Sequence, residues 1–205
     1  MIRSDMITPE NPDQPFLVSD NGEAFEENEM VEKQISCITA YEGHVFSVEV
    51  AGVLLHDGNT ARREIVRHNG GAAIVPIDDQ GNVYMVRQFR FAFQKVMLEI
   101  PAGKLERNED PALCAIRELK EETGLEAGHI ESLGVVAPTP GYCSELLYLF
   151  LATGLVRGNS NPDAGEYINV HRIPMKVLLN QIDAGEIKDA KTIAALLKTA
   201  RRLGI

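Results

Sequence analysis

The chain has 205 residues, 44% of them apolar, and a formal net charge of −10. That length and composition suit a single folded domain with a real core, alone or with a small appendage. The acidic balance excludes nonspecific nucleic-acid binding, which rests on Lys and Arg neutralising phosphates, so a small anionic ligand would need local help from metals or a few arginines. The cysteines, Cys37, Cys114 and Cys143, are odd in number and contain no CxxC pair. They point to neither a disulfide framework nor a zinc site and read as small buried or half-buried thiols. No segment approaches membrane-spanning length and the N-terminus shows no signal-peptide pattern, so the expected location is the cytoplasm, with no membrane partner.

In chain order, residues 1–31 are rich in Pro, Asn, Asp and Glu and read as an irregular arm. Residues 32–68 change texture. KQISCITAYEG, HVFSVEVAGVLLHDG and TARREIVRH combine β-branched residues with turn signals at Glu42-Gly43 and Asp57-Gly58, which predicts a small antiparallel subdomain of three strands. Three strands bury little alone, so this piece should pack on the main domain or on a second subunit.

The main domain is expected over 69–205. AAIVPID reads as a short buried strand ending in a turn at Asp78-Asp79-Gln80-Gly81, followed by the longer strand NVYMVRQFRF and the short strand MLEI. IESLGVVAP and LLYLFLATGLV read as strands separated by Pro138-Thr139-Pro140-Gly141, and YINVHRI as a last one. Two helices close the chain, Pro174 to Ala184 and Asp189 to Leu203, the second with Ile193, Leu196, Leu197, Ala200 and Leu203 on one face. The pattern predicts an α+β fold, a mixed β-sheet sandwiched between helices.

Between the third strand and the fourth lies GKLERNEDPALCAIRELKEETGL, Gly103 to Leu125. Asp110 is a good N-cap, Pro111 suits the first helical position and Gly124 suits the residue just past the end. Ala112, Ile116 and Leu119 would form the buried face. Glu118 and Glu122 stand one turn apart with Glu121 beside them, and Glu121 and Glu122 fall where the negative end of the helix dipole opposes them. A helix with good caps and repelling carboxylates suggests a missing cation, and hard divalent ions such as Mg2+ are held by carboxylate oxygens, often with substrate phosphates. Glu118 and Glu122 are the first choices as ligands because they share a face. Arg117 reads as a fixed guanidinium paired with Glu109, holding the preceding loop to the helix, with substrate contact as the alternative.

The spacing of Gly103, Glu109, Arg117-Glu118-Leu119, Glu121-Glu122 and Gly124-Leu125 matches the Nudix box at every defined position. The chain therefore resembles the Nudix hydrolases of nucleoside-diphosphate compounds. Its flanks, REIVRH, VRQFR, LEIPAGKLE and Pro140 fifteen residues after Leu125, resemble the ADP-ribose pyrophosphatase branch from about Tyr41 onward. It departs from that branch where prolines are common, holding Phe91-Ala92-Phe93 after Arg90 and Asn69 after His68. These departures bear on which leaving group is accepted.

The resemblance implies the Nudix fold and Mg2+-dependent (or Mn2+-dependent) hydrolysis of ADP-ribose to AMP and ribose 5-phosphate by a homodimer built with the N-terminal strands. It adds the Ala102 carbonyl to the metal ligands and makes Glu166, in the loop NPDAGEYINV, a ligand or catalytic base, with Asp163 a weaker substitute. Glu121 would bind metal directly or through water. Arg90, at a strand end near the box, reads as a diphosphate clamp or an edge-strand surface arginine. Glu99 falls by strand alternation on the same side and would support Arg90 or a metal. The resemblance further implies that Glu145 reaches the terminal ribose and that Arg63 packs near the adenine, sometimes across a dimer; plain strand-surface packing is the alternative for Arg63. The competing functions are hydrolysis of another sugar nucleotide, of GDP-mannose or UDP-glucose type, and a silent ADP-ribose-sensing domain. The five histidines form no HExxH or Ser-His-Asp pattern, and Gly70-Gly71 is not a phosphate loop.

Overall fold

The protein is described from a computed structural model covering residues 31–158 and 169–205. Three strands, β1 (Lys33–Glu42), β2 (Phe46–Leu54) and β3 (Thr60–His68), form an antiparallel sheet of their own in that order. Every residue of β1 is exposed, Ile35, Ile38 and Tyr41 among them, whereas Ala51 and Val53 of β2 are buried. The sheet is tied to the rest of the chain through β3. Val66 N–H donates to the Tyr142 carbonyl at 2.7 Å and Ser144 N–H donates to the Val66 carbonyl at 2.9 Å.

The remaining strands are β4 (Gly71–Pro76), β5 (Asn82–Arg90), β6 (Lys95–Glu99), β7 (Ala102–Lys104), β8 (Leu125–Val136), β9 (Leu147–Arg157) and β10 (Asn169–Pro174). They make two sheets, ordered β10-β5-β6 and β7-β4-β9-β8. In the second, β4 runs parallel to β9 and its other pairings are antiparallel, the mixed sheet expected. Alternation along β4 decides the layering. Ala72 and Ile74 pack with Cys114, Ala115 and Leu119 of α1 (Pro111–Thr123). Ala73 and Val75 pack on the other face with Leu178 of α2 (Met175–Asp183) and Leu196 of α3 (Ala190–Leu203). β9 repeats the division, with Phe150 and Ala152 toward α1 and Leu149 and Leu151 toward α2 and α3. The mixed sheet is thus sandwiched between helices.

Several local expectations shift. The turn at Asp78–Gly81 forms, with Asp78 Oδ1 accepting from Gln80 N at 2.9 Å and Asn82 N at 3.0 Å. It carries the chain from one sheet into the other rather than closing a long hairpin, since only an isolated bridge, Ile77 to Val83, joins its two sides. Strand β8 starts directly at Leu125 because Gly124, at φ +69°, reverses the chain at the helix end. The three-residue strand β7, too short to show a period, was hidden inside the box. On α1 the buried positions are Cys114, Ala115, Leu119 and Glu122, with Ala112 and Ile116 half-buried. On α3 they are Thr192, Ala195, Leu196, Thr199 and Ala200, while Leu197 and Leu203 are exposed. In both helices a polar residue with a bonding task occupies the inward face and rotates the apolar stripe away from its hydropathy maximum.

Candidate active site

Helix α1 is built as its ends dictate. Asp110 caps it, accepting from Ala112 N at 2.8 Å and Leu113 N at 3.2 Å, and Gly124 N–H donates to the Lys120 carbonyl at 2.9 Å. The helix lies against β7, and the packing surface is chemical as well as apolar. A Cβ on Gly103 would collide with the Glu118 carboxylate, so only glycine leaves room for it. Glu122 is 7% exposed and accepts a hydrogen bond from Ala102 N at 3.1 Å. The two carboxylates proposed from helical spacing are therefore both pressed onto the Ala102–Gly103 strand.

Arg117 gathers the rest of the cluster. Its Nε and Nη2 donate to Glu109 at 3.0 and 3.2 Å, and its Nη1 donates to Glu118 at 2.7 Å and Glu121 at 2.9 Å. Hydrogen bonding to Glu109, above all, raises the guanidinium pKa against the cost of burial. The same contact lowers that of Glu109. The Arg117–Glu109 tie expected from the sequence is present, and the guanidinium also restrains the repelling Glu118 and Glu121. Cys114, beneath this cluster, is buried and its thiol is pushed up to about 12 by desolvation and the Glu109 charge, which keeps it protonated and inert.

Arg117, Glu118, Glu121 and Glu122 line one side of a groove of about 930 Å³. Across its remaining wall stand Arg90, Asp189 and Lys191, and its rim includes His44, His68 and Glu145. Arg90 makes a two-pronged pair with Glu99, Nε to Oε1 and Nη2 to Oε2, each 2.8 Å. Lys191 Nζ donates to the same Oε2 and, at 3.0 Å, to Asp189 Oδ2. Glu99 is 2% exposed. Burial alone would raise its pKa, but the bonds from Arg90 and the Lys191 charge overcome this and hold it at about 2. Glu99 thus accepts from both Arg90 and Lys191.

Glu145 reaches the groove, 3.5 Å from His68 Nδ1. That nitrogen already accepts from Gly70 N at 3.0 Å, so both groups are acceptors and the approach is not a hydrogen bond. Arg63 is not among the groove residues. It stands opposite Ala51 on the half-buried face of the N-terminal sheet and pairs with Glu32, Nε to Oε2 2.9 Å. Glu166 and Asp163 lie outside the described residues. Sequence reasoning missed Asp189, Lys191 and His44. The first two belong to a helix 90 residues from Glu99 and the third to the β1–β2 turn, and only the topology brings them to the groove.

The donor set fits a divalent cation. Glu109, Glu118 and Glu121 share one guanidinium, Glu122 accepts from Ala102 N, and the hollow that Gly103 leaves holds the Glu118 carboxylate beside the Ala102 peptide. Among the described residues, no three acidic, His or Cys side chains are already grouped around a common point as a cation would group them. Arg117 and Ala102 N–H hold the carboxylates.

The sequence is 37% identical over 177 residues to a methanol dehydrogenase activator of Bacillus methanolicus, covering 85% of this chain and 93% of that one. It is 35% identical over 167 residues to an ADP-ribose pyrophosphatase of Bacillus subtilis strain 168, covering 80% and 90%. Among solved structures, that of an ADP compounds hydrolase superposes with a TM-score of 0.77 over 84% of this chain and 94% of that one, at 22% identity, which shows a shared fold. The family pattern of the NUDIX domain matches residues 67–196, so the glycine-bracketed helix, its carboxylates and the sheet they press upon are those of a Nudix domain, and the chain belongs to the Nudix family.

Proposed function

We propose that the protein hydrolyses the diphosphate linkage of ADP-ribose, giving AMP and ribose 5-phosphate, with Mg2+ held by Glu118, Glu122 and the Ala102 carbonyl. The observation that carries this reading is one groove with two chemically opposite walls, the α1 carboxylates on one and Arg90 on the other. The similarity to ADP-ribose pyrophosphatase over most of both chains supports the choice of substrate.

A diphosphate resists water because its oxygens repel the nucleophile. Arg90 keeps Nη1 clear of its pair with Glu99 among the described contacts, so it can donate to a diphosphate oxygen while Glu99 fixes its orientation. Bound divalent ions supply the further neutralisation of phosphate oxygens and the activation of water. Water adds to one phosphorus, the bridging P–O bond breaks, and the departing phosphate takes the bridging oxygen with its electron pair. The proton leaves the attacking water to a carboxylate of the site. Glu166 belongs to the proposal as that base or as a further ligand, and Glu145 as the group reaching the terminal ribose.

The exposed β1 face, with Ile35, Ile38 and Tyr41 each more than half exposed, supports a homodimer formed through the N-terminal sheet. Among the described residues no helix is long and apolar enough to cross a membrane, and the proposed site of action is the cytoplasm.

The test is chromatographic product analysis with Mg2+ and a panel of ADP-ribose, GDP-mannose, UDP-glucose, NADH and dinucleoside polyphosphates. Metal-dependent release of AMP from ADP-ribose above all others is the expected result. Preference for another sugar nucleotide would move the substrate, and turnover of none would favour a sensor. Light scattering on the same preparation reads the dimer, expected at twice the 22.6 kDa chain mass.

A further inference from the structure

The charged wall opposite the carboxylates contains one residue to which neither the spacing nor the Nudix box assigns a role. Lys191 stands in the first turn of α3 with its side chain 12% exposed, lining the groove beside Arg90. A lysine is rarely so enclosed without a partner. Here it has two, Glu99 Oε2 and Asp189 Oδ2.

Its place is set by the fold and not by a loop. Asp189 is the N-cap of α3, accepting from Thr192 N at 3.0 Å and from Thr192 Oγ1 at 2.5 Å. Thr192, fully buried, accepts in turn from Ile100 N at 3.0 Å. The start of α3 is thereby pinned to the short segment between Glu99, which holds Arg90, and Ala102, which meets Glu122.

We infer that Lys191 is a positioning residue for diphosphate binding, sharing Glu99 with Arg90 so that the Arg90 guanidinium keeps positive charge for an anionic ligand. With Lys191 present, Arg90 and Lys191 balance Glu99 and Asp189. Without it, two carboxylates face a single guanidinium, and the cluster offers an approaching phosphate a net negative charge. Lys191 acts through Glu99 and Arg90 and need not touch the phosphates.

The inference rests on the proposed diphosphate reading, and the experiment separates the two. Turnover of ADP-ribose by the wild-type protein tests that reading, while the affinity of the full-length variants for ADP, by titration calorimetry, tests Lys191. For Lys191→Met, the Kd for ADP is expected to rise about tenfold and KM in parallel, with kcat changing less than about threefold, since the lost interaction serves ground and transition states alike. Lys191→Arg should restore both values. A merely structural role would instead lower the amount of folded protein and leave the Kd of the folded fraction unchanged. An ADP Kd within about twofold of wild type for Lys191→Met, or a failure of Lys191→Arg to restore it, overturns the inference. Should Lys191→Met fail to fold, Lys191→Gln, uncharged but still a donor, takes its place with the same two outcomes.

Discussion

The two walls of the groove handle charge in opposite ways. On the α1 wall, Glu109, Glu118 and Glu121 share the single guanidinium of Arg117 while Glu122 accepts from the Ala102 backbone N–H, leaving a large negative excess at a helix C-terminus. On the other wall, Arg90 and Lys191 face Glu99 and Asp189, and the cluster balances itself. In the proposed function a cation completes the first wall. The second is finished by folding, because its partners come from β5, β6 and the first turn of α3 and are locked together by the backbone. In the proposed mechanism the first wall binds metal and the second is preorganised for the anion that the metal accompanies.

The largest effect is therefore expected on the unfinished wall. Glu122→Gln keeps an oxygen for Ala102 N–H and so keeps the fold, yet removes the charge that would hold the cation. Turnover should fall on the order of a thousandfold, several kcal/mol of transition-state stabilisation, with an unchanged melting temperature in metal-free buffer. A variant that retains its rate would show that Glu122 is only a structural tie to β7.

Gly103→Ala probes the same wall from the strand side. The new methyl would meet the end of the Glu118 side chain and not backbone, so the carboxylate can swing away at little cost to stability. What is lost is its placement, and metal-dependent kcat should drop on the order of a hundredfold while thermal unfolding shifts little. A large loss of stability with normal residual kcat would mean that Gly103 is a packing glycine alone.

The walls also differ in how far the sequence disclosed them. Glu118, Glu121, Glu122, Arg117 and Glu109 lie on one helix and the loop just before it, so helical spacing and caps place them without tertiary information. Arg90 and Glu99 sit on adjacent strands, near enough for alternation to suggest a pair. Lys191 and Asp189 join from the far end of the chain, and no local pattern relates them to Glu99. Order within the layers followed the same rule. β4 and β9 were legible as apolar runs, but that they pair in parallel, and that β5 leaves for a second sheet, is fixed by long-range packing. The apolar stripe of α3 was misjudged for a related reason: Thr192 turns inward because Ile100 N–H needs an acceptor there.

The finished wall carries a signature in acid that leaves turnover at neutral pH aside. Glu99 is held at about 2 in the folded protein against an ordinary value of 4.5. A depressed carboxylate stabilises the fold fully above its unfolded pKa, and that contribution fades as pH falls through 4.5 toward 2. The whole difference corresponds to about 3 kcal/mol, spread over that window. Urea unfolding between pH 6 and 2 should accordingly show a steep loss of stability for the wild type and a shallower one for Glu99→Gln, whatever the variant's absolute stability at pH 6. The slope is the informative quantity, because Glu99→Gln also leaves two cations facing each other and lowers the whole curve. Parallel curves would mean that the Arg90 and Lys191 pairs hold Glu99 no more tightly than water does, and the contrast between a finished and an unfinished wall would fall with them.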